Sequence, residues 1–381
     1  MILHLFNDEK VVNRCIETFE KVFPGGNVFI CFVNGSTKLV KQYPNVYFYA
    51  GNDSFDSTIL DGVSKVIIHF LDSRKIKFVK EYIPENIPCT WMVWGGDLYN
   101  AILVNMGLPV YYQPRFLGKT YLKLLLYNIL FRLGIYVGDY KLYLDFIKQR
   151  ITSFASSADY NLMQKYIGEY MNGPQITGFS YYPIDVMLGD LKNSHVNGRL
   201  ILVGNSGGFT NNHAYAFKFL SRLDISDREV LTPMGYGGTV KYRKYVEKCG
   251  KKIWGESYQA LMTFIPLDEY NRLMTSAEIC IYPSWRQEAY GNIVVALYLG
   301  AKVFLSEKSS LVEFFRKKGI VVNILEELTQ EDLDLPLSTE VKESNRKIIY
   351  GMLNEQSILE AVRRNWGDDE KRSDCSEKHI N

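Results

Sequence analysis

The chain has 381 residues, more than one hydrophobic core ordinarily supports, so two domains are expected. Apolar residues make up 47% and charged residues 23%, the balance of a soluble globular protein rather than a disordered or fibrous one. The net charge of +2 is too small to point to nucleic acid as a partner.

The N-terminal MILHLFNDEK is a short apolar run followed by charge. It lacks the basic region and longer apolar stretch of a signal peptide and reads as a buried first strand, Ile2–Phe6. Lys10–Val22 has helical spacing, with Val11, Val12, Cys15, Ile16 and Phe19 on one side. Asn27–Val33, Val46–Ala50, Lys65–Phe70 and Thr90–Trp94 are further strands, the last ending at Gly95-Gly96. Strands separated by helical patterns imply a parallel sheet with helices on both faces.

The second half repeats the pattern. Arg199–Val203 is a strand that runs into a glycine-rich turn, and Asn211–Leu220 is a helix. Glu229–Thr232 is a strand, Tyr242–Cys249 a helix and Lys252–Trp254 a strand. Leu267–Ser276 is helical, Ile279–Tyr282 a strand, Asn292–Leu299 a helix and Lys302–Leu305 a strand. The fold class is therefore α/β, with two doubly wound Rossmann-like domains. The first covers 1–180 and the second 181–340. Residues 341–366 have the spacing of one or two terminal helices, and the charge-dense 367–381 reads as a disordered tail. The six cysteines show no CxxC spacing and read as reduced thiols of a cytoplasmic protein.

Chemistry is expected where strands end, because ligands of open α/β sheets bind beyond the carboxyl ends of the strands. Gly204, Asn205, Ser206 and Gly207, with Gly208, follow a strand and open a helix. Glycines there let backbone approach a phosphate, and the helix N-terminus supplies free N–H groups. A plain βα turn has the same composition. The stretch Tyr282-Pro-Ser-Trp-Arg-Gln-Glu-Ala-Tyr-Gly-Asn292 stands between another strand and helix. Arg286 offers a fork for a diphosphate, Glu288 an acceptor pair for sugar or ribose hydroxyls, and Tyr290, Gly291 and Asn292 the helix start. An ordinary surface ion pair reads the same way at Arg286 and Glu288. Met234, Gly235 and Tyr236, in a third strand-end loop, are expected to wall a nucleotide base.

In the first half, Trp94, Gly95, Gly96 and Asp97 also stand at a strand end. Asp97 is expected to face the interdomain cleft as a base or orienting group, and Trp94 to stack on a sugar ring. His69 ends another strand as an acceptor contact or a satisfied structural residue. Pro114–Arg150 carries seven Lys/Arg against two acids and encloses the mostly apolar YLKLLLYNILFRLGIYV. That run is too short and interrupted to span a bilayer, and suits an interfacial helix with a basic rim or a buried amphipathic helix. The histidines are scattered, so no metal site is expected. Asp332-Leu-Asp334 reads as part of a solvated acidic run.

The segments Trp94-Gly-Gly-Asp-Leu-Tyr99, Ile201-Leu-Val-Gly-Asn-Ser-Gly207 with Asn212-His213, Pro233-Met-Gly-Tyr236, and Arg286-Gln287 through Gly291 to Gly300 keep the order and spacing of one family. Over roughly 65–305 the chain resembles the TDP-N-acetylfucosamine:lipid II N-acetylfucosaminyltransferases of enterobacterial common antigen synthesis. The resemblance implies a GT-B fold whose two domains face a cleft, acceptor domain first, donor domain second, with a C-terminal helix returning to the first. It also implies a retaining, metal-independent hexosyl transfer that needs no cofactor. The donor is a TDP- or UDP-linked sugar and the acceptor an undecaprenyl-diphosphate-linked saccharide at the inner face of the cytoplasmic membrane, which makes the enzyme a peripheral one. One departure stands out. The wider GT-B pattern carries a second Glu eight residues after the first, where this chain has Ala296. Two other readings share the fold: a nucleotide-sugar 2-epimerase and a non-catalytic sugar-binding relative.

Overall fold

The computed structural model describes residues 1–51, 55–135, 140–156, 158–225 and 227–367. The chain divides into two compact units. One comprises Met1–Asn105, Gly134–Pro183 and the chain from Leu353; the other comprises Met106–Leu133 and Ile184–Met352.

The first unit is built on β1 (Ile2–Asn7), β2 (Asn27–Phe32), β3 (Val46–Tyr49), β4 (Lys65–His69), β5 (Cys89–Met92), β6 (Ile151–Ala155) and β7 (Gln175–Ile176). All pair in parallel in the order β3-β2-β1-β4-β5-β6-β7. β1, β2, β4 and β5 are buried along almost their whole length because helices cover both faces of such a sheet. β2, for example, is buried at every position. The helix Val12–Val22 turns Cys15, Ile16 and Phe19 onto the sheet. Against it lies the helix Glu355–Trp366, with the Trp366 ring 5.4 Å from Phe19 and 5.9 Å from Phe179.

The second unit is built on β8 (Leu200–Val203), β9 (Val230–Pro233), β10 (Tyr258–Leu261), β11 (Ala277–Tyr282), β12 (Lys302–Leu305) and β13 (Asn323–Ile324), in the parallel order β10-β9-β8-β11-β12-β13. Here the expected strand Lys252–Trp254 is instead the last turn of the helix Val240–Trp254, and the strand begins at Tyr258. Gly250 suggests a helix end, but it lies inside the helix. A Cβ at that position would stand 2.2 Å from the Tyr258 ring, so glycine makes room for the following strand.

Two expected boundaries also move. Residues 106–133, assigned by sequence to the first domain, pack with the second unit. The Asn212 side chain accepts from Tyr112 N at 2.8 Å and donates to Val110 O at 3.1 Å, while Phe116 packs on Tyr242 and Tyr245. Residues 341–366 form two helices, Thr339–Leu353 in the second unit and Glu355–Trp366 in the first. The tail proposed for 367–381 lies outside the described residues beyond Gly367.

The helix Lys119–Arg132 leaves Leu122, Leu125, Leu126 and Ile129 exposed, and Leu133 and Ile135 follow them. Residues 136–139, the end of the predicted apolar run and Asp139, lie outside the described residues. Among the described residues no helix is long and apolar enough to cross a membrane. Asp332 caps the helix Gln330–Asp334 through a capping box with Thr329, which gives the Asp-Leu-Asp stretch a local structural job.

Candidate active site

At the switch point of a parallel sheet, the loops leaving two neighbouring strands part to opposite faces and open a crevice. In the second unit that point lies between β8 and β11. Gly204 N donates to Ile281 O at 2.8 Å, tying the two strands where they end. Gly204 has φ +75°, and a Cβ there would stand 2.8 Å from His213 Nε2, so the turn requires glycine.

The loop Gly204–Gly208 is braced from within. Asn211 Oδ1 accepts from Asn205 N at 2.9 Å, and Ser206 Oγ accepts from Asn211 Nδ2 at 3.0 Å and Gly208 N at 3.3 Å. The loop after β9 lies directly against it. Gly207 N donates to Tyr236 O at 2.7 Å, and Asn205 Nδ2 to the Tyr236 hydroxyl at 3.3 Å. Tyr236 is half exposed and forms an open wall. Met234 does not, because its side chain is fully buried in the core. Its carbonyl accepts from Arg243 Nη1 at 3.1 Å, and Gly235 fits tightly against the backbone of Thr263.

From β11, Glu288 reaches back to the first loop. Its Oε1 accepts from Asn211 Nδ2 at 3.4 Å, and its Oε2 accepts from Ser284 Oγ at 3.2 Å and Arg286 Nε at 3.3 Å. Arg286 and Glu288 are an ion pair more than four-fifths buried, unlike an ordinary surface pair. The next residue, Ala289, has φ +62°, and Asn212 has φ +46°. Each is a non-glycine residue held in the left-handed region just before a helix, Tyr290–Leu299 and His213–Leu220. Such strain is sustained where surrounding structure fixes the backbone. It leaves the N–H groups of Tyr290, Gly291 and Asn292 ahead of the first intrahelical bond, Ile293 N to Ala289 O. Only the backbone of Tyr290 is on offer, since its ring stacks on Phe315. Ala296, where the wider pattern has its second Glu, is fully buried in this helix.

Several neighbours have no role in the sequence reading, although His213 and Trp285 fall within its segments. Tyr112 is clamped by Asn212 and packs on Tyr215 and Trp285 at 5.0 and 6.1 Å. Burial raises the neighbouring Tyr111 phenol above its ordinary range, and the Arg286 and Glu288 charges act on it. Lys308 Nζ stands 3.5 Å over the Trp285 ring. His213 is fully buried, and desolvation lowers its pKa to about 3, so it is neutral. None of these carries a spacing signal. Tyr111 and Tyr112 come from the first half of the chain, where no strand or helix period marks them.

The residues predicted in the first unit have different surroundings. Asp97 is 1% exposed and accepts from Leu71 N (2.9 Å), Trp91 Nε1 (2.8 Å), Trp94 N (3.1 Å) and Leu98 N (3.0 Å). It therefore does not present an open carboxylate. It fastens the Gly95-Gly96 turn, where Gly95 has φ +86° and Gly96 lies against the Phe70 ring. Burial raises its pKa despite the four donors. His69 is likewise fully buried. Asn27 uses its amide nitrogen on Glu20 Oε1 and Phe23 O, so its Oδ1 accepts from His4 Nε2 at 3.4 Å. His4 Nδ1 then accepts from His69 Nε2 at 3.2 Å, and His69 Nδ1 from the Tyr181 hydroxyl at 2.6 Å. Tyr181 in turn accepts from Trp94 Nε1 at 2.7 Å. Desolvation keeps both imidazoles neutral, with His4 lowered to about 3. His69 thus supports Trp94 from beneath.

The sequence profile of the family described as 4-alpha-L-fucosyltransferase, glycosyl transferase group 56, matches residues 145–349, more than half of the chain. Among solved structures, a sucrose-phosphate synthase from Thermosynechococcus elongatus superposes with a TM-score of 0.63 at 10% identity, covering 96% of this chain and 98% of that one. Anabaena HepE, solved in complex with UDP, gives a TM-score of 0.61 at 10% identity, with 96% and 99% covered. A glycosyltransferase from Rickettsia africae gives 0.59 at 13% identity, with 96% and 97% covered. At these identities the likeness is one of fold, the GT-B fold of two Rossmann-like α/β domains.

Proposed function

The chain belongs to the 4-alpha-L-fucosyltransferase family, glycosyl transferase group 56, and is a glycosyltransferase; on that premise we propose that it moves an N-acetylfucosamine-like sugar from a nucleoside diphosphate donor to a lipid-linked saccharide, with retention. The observation that carries the donor assignment is the meeting of Gly204–Gly208, Met234–Gly238 and Arg286–Glu288 at one switch point, joined by the hydrogen bonds of Asn211, Glu288 and Gly207. Anabaena HepE, of the same fold, was solved with UDP, which agrees with a nucleotide-linked donor.

In this reading the diphosphate lies against the thin glycine-rich loop and over the N–H groups of Tyr290–Asn292. Arg286 stands by the leaving group and Glu288 takes sugar hydroxyls. The bond from C1 to the phosphate oxygen breaks with its electron pair going to phosphate. The acceptor oxygen bonds to C1 on the same face, and its proton passes to the departing phosphate oxygen. Fixed donors and a guanidinium stabilise the growing charge, so the step calls for no metal. No side-chain base is assigned, and Asp97 serves the fold.

The lipid-linked acceptor is supported by Lys119–Arg132. Its exposed leucines and Ile129 stand beside Arg115, Lys119, Lys123 and Arg132, and no acidic residue occurs between Asp97 and Asp139. That combination suits the boundary of an anionic membrane, here the inner face of the cytoplasmic membrane.

A thermal-shift series with TDP-, UDP- and GDP-linked compounds tests the donor site. One class should raise the melting temperature, since a ligand of the folded state stabilises it. No response to any of them sinks the proposal.

A further inference from the structure

We propose that Arg243, rather than Arg286, is the principal cation for the donor's diphosphate; this rests on the donor site proposed above. The glycine-rich segment 204–213 contains no Lys or Arg. Arg286 is tied to Glu288 at 3.3 Å, so that pair brings little net charge to a dianionic group. Arg243 rises from the first turn of the helix Val240–Trp254, which Thr239 caps by accepting from Tyr242 N. Its stem crosses Gly207 so closely that a Cβ there would stand 2.6 Å from Arg243 Cδ. Its Nη1 donates to Met234 O at 3.1 Å, which holds the guanidinium between the two glycine loops.

Its Nε is buried and has no hydrogen-bond partner among the described residues. No carboxylate among them pairs with it. A charged group with a buried, unused donor is costly to hold unless a ligand completes it. A phosphate oxygen supplies what is missing: an anion, an acceptor, and a fit to the planar fork. Gly207 and Gly238 then have a second purpose. They keep the loops thin enough for the guanidinium to reach phosphate lying against the glycine-rich loop. Gly238 has φ +60°, and a Cβ there would collide with Gly207 O, so the two loops close only as glycines.

The test is calorimetric titration of the full chain with UDP, TDP, the free nucleosides and inorganic pyrophosphate. Arg243→Gln keeps length and polarity without charge. It should weaken the diphosphates and pyrophosphate by about tenfold or more and leave nucleoside binding alone. Arg243→Lys should recover part of the loss. Diphosphate affinity unchanged in Arg243→Gln overturns the assignment while the donor site stands. A wild-type chain that binds no nucleoside diphosphate overturns the donor site and this assignment with it. If Arg243→Gln shows no cooperative unfolding, Arg243→Lys decides: several-fold weaker pyrophosphate binding supports the assignment, and equal binding removes it.

Discussion

Glu288 accepts from Ser284, Arg286 and Asn211, so one carboxylate holds both switch-point loops in register. Arg286→Ala should lower kcat/KM about a hundredfold, or about 2.7 kcal/mol, by removing a fixed donor beside the leaving group and freeing Glu288 from its partner. Steady-state kinetics on the responding donor checks this. Asp97 allows the opposite kind of expectation. Asp97→Asn sets an NH2 group against a cage of four donors, which should cost about 3 kcal/mol of stability. Activity per folded molecule should stay near wild type, so urea titration and kinetics together separate structure from catalysis.

The buried histidines set a pH dependence. His4, His69 and His213 stay neutral when folded, with pKa values lowered by burial, to about 3 for His4 and His213. The unfolded chain titrates near 6.5, so below that pH it binds more protons than the folded one, and stability falls as pH falls. Each histidine should cost about 1 kcal/mol between pH 7 and pH 5.5. Melting temperatures of wild type and His213→Asn across that range would show it, the variant losing less. Spacing alone marks the strand-end turns but not the directions of the side chains around them. Gly204 and Gly95 announce turns because few other residues tolerate their φ. Which way Asp97 or Met234 points depends on neighbours far along the chain.

At the scale of elements, the strands β1, β4, β8, β11 and β12 stand out in the sequence as mainly apolar runs. β6 and β7 do not. Ile151–Ala155 carries Thr152 and Ser153, which bond to β5 at Cys89 O and Thr90 Oγ, and so hides its buried character. The segment Met106–Leu133 is the clearest case of tertiary context overriding local pattern. Its composition suggests a helix of the first domain, yet Val110, Tyr112, Gln113 and Phe116 dock on the second. Its apolar helix provides a prediction at this scale. Leu126→Asp with Ile129→Asp should cut binding to vesicles rich in anionic lipid by at least about tenfold, by loss of apolar insertion. Both positions are exposed, so the melting temperature should hardly change. Flotation with anionic and neutral vesicles measures it; undiminished binding rejects this helix as the contact.

At the scale of the molecule, neither unit is continuous in sequence. The chain leaves the first unit after Asn105, returns at Gly134, leaves at Pro183 and comes back at Leu353. The last of these returns completes the core around Phe19. Trp366→Ala should therefore cost about 3–5 kcal/mol, read from the urea midpoint, although it is remote in sequence from every strand it supports. The pairing of the helices Val12–Val22 and Glu355–Trp366 also has a consequence for synthesis. At about 5–20 residues per second, the ribosome delivers the second helix roughly 20 s to 1 min after the first. Throughout that interval the β1–β5 half of the nascent chain has an uncovered apolar flank. The Lys119–Arg132 helix is in the same position, emerging before Asn212 and Tyr245 exist to anchor its approach. Production of this protein should accordingly depend on a chaperone, or a nearby lipid surface, to shield both until translation ends.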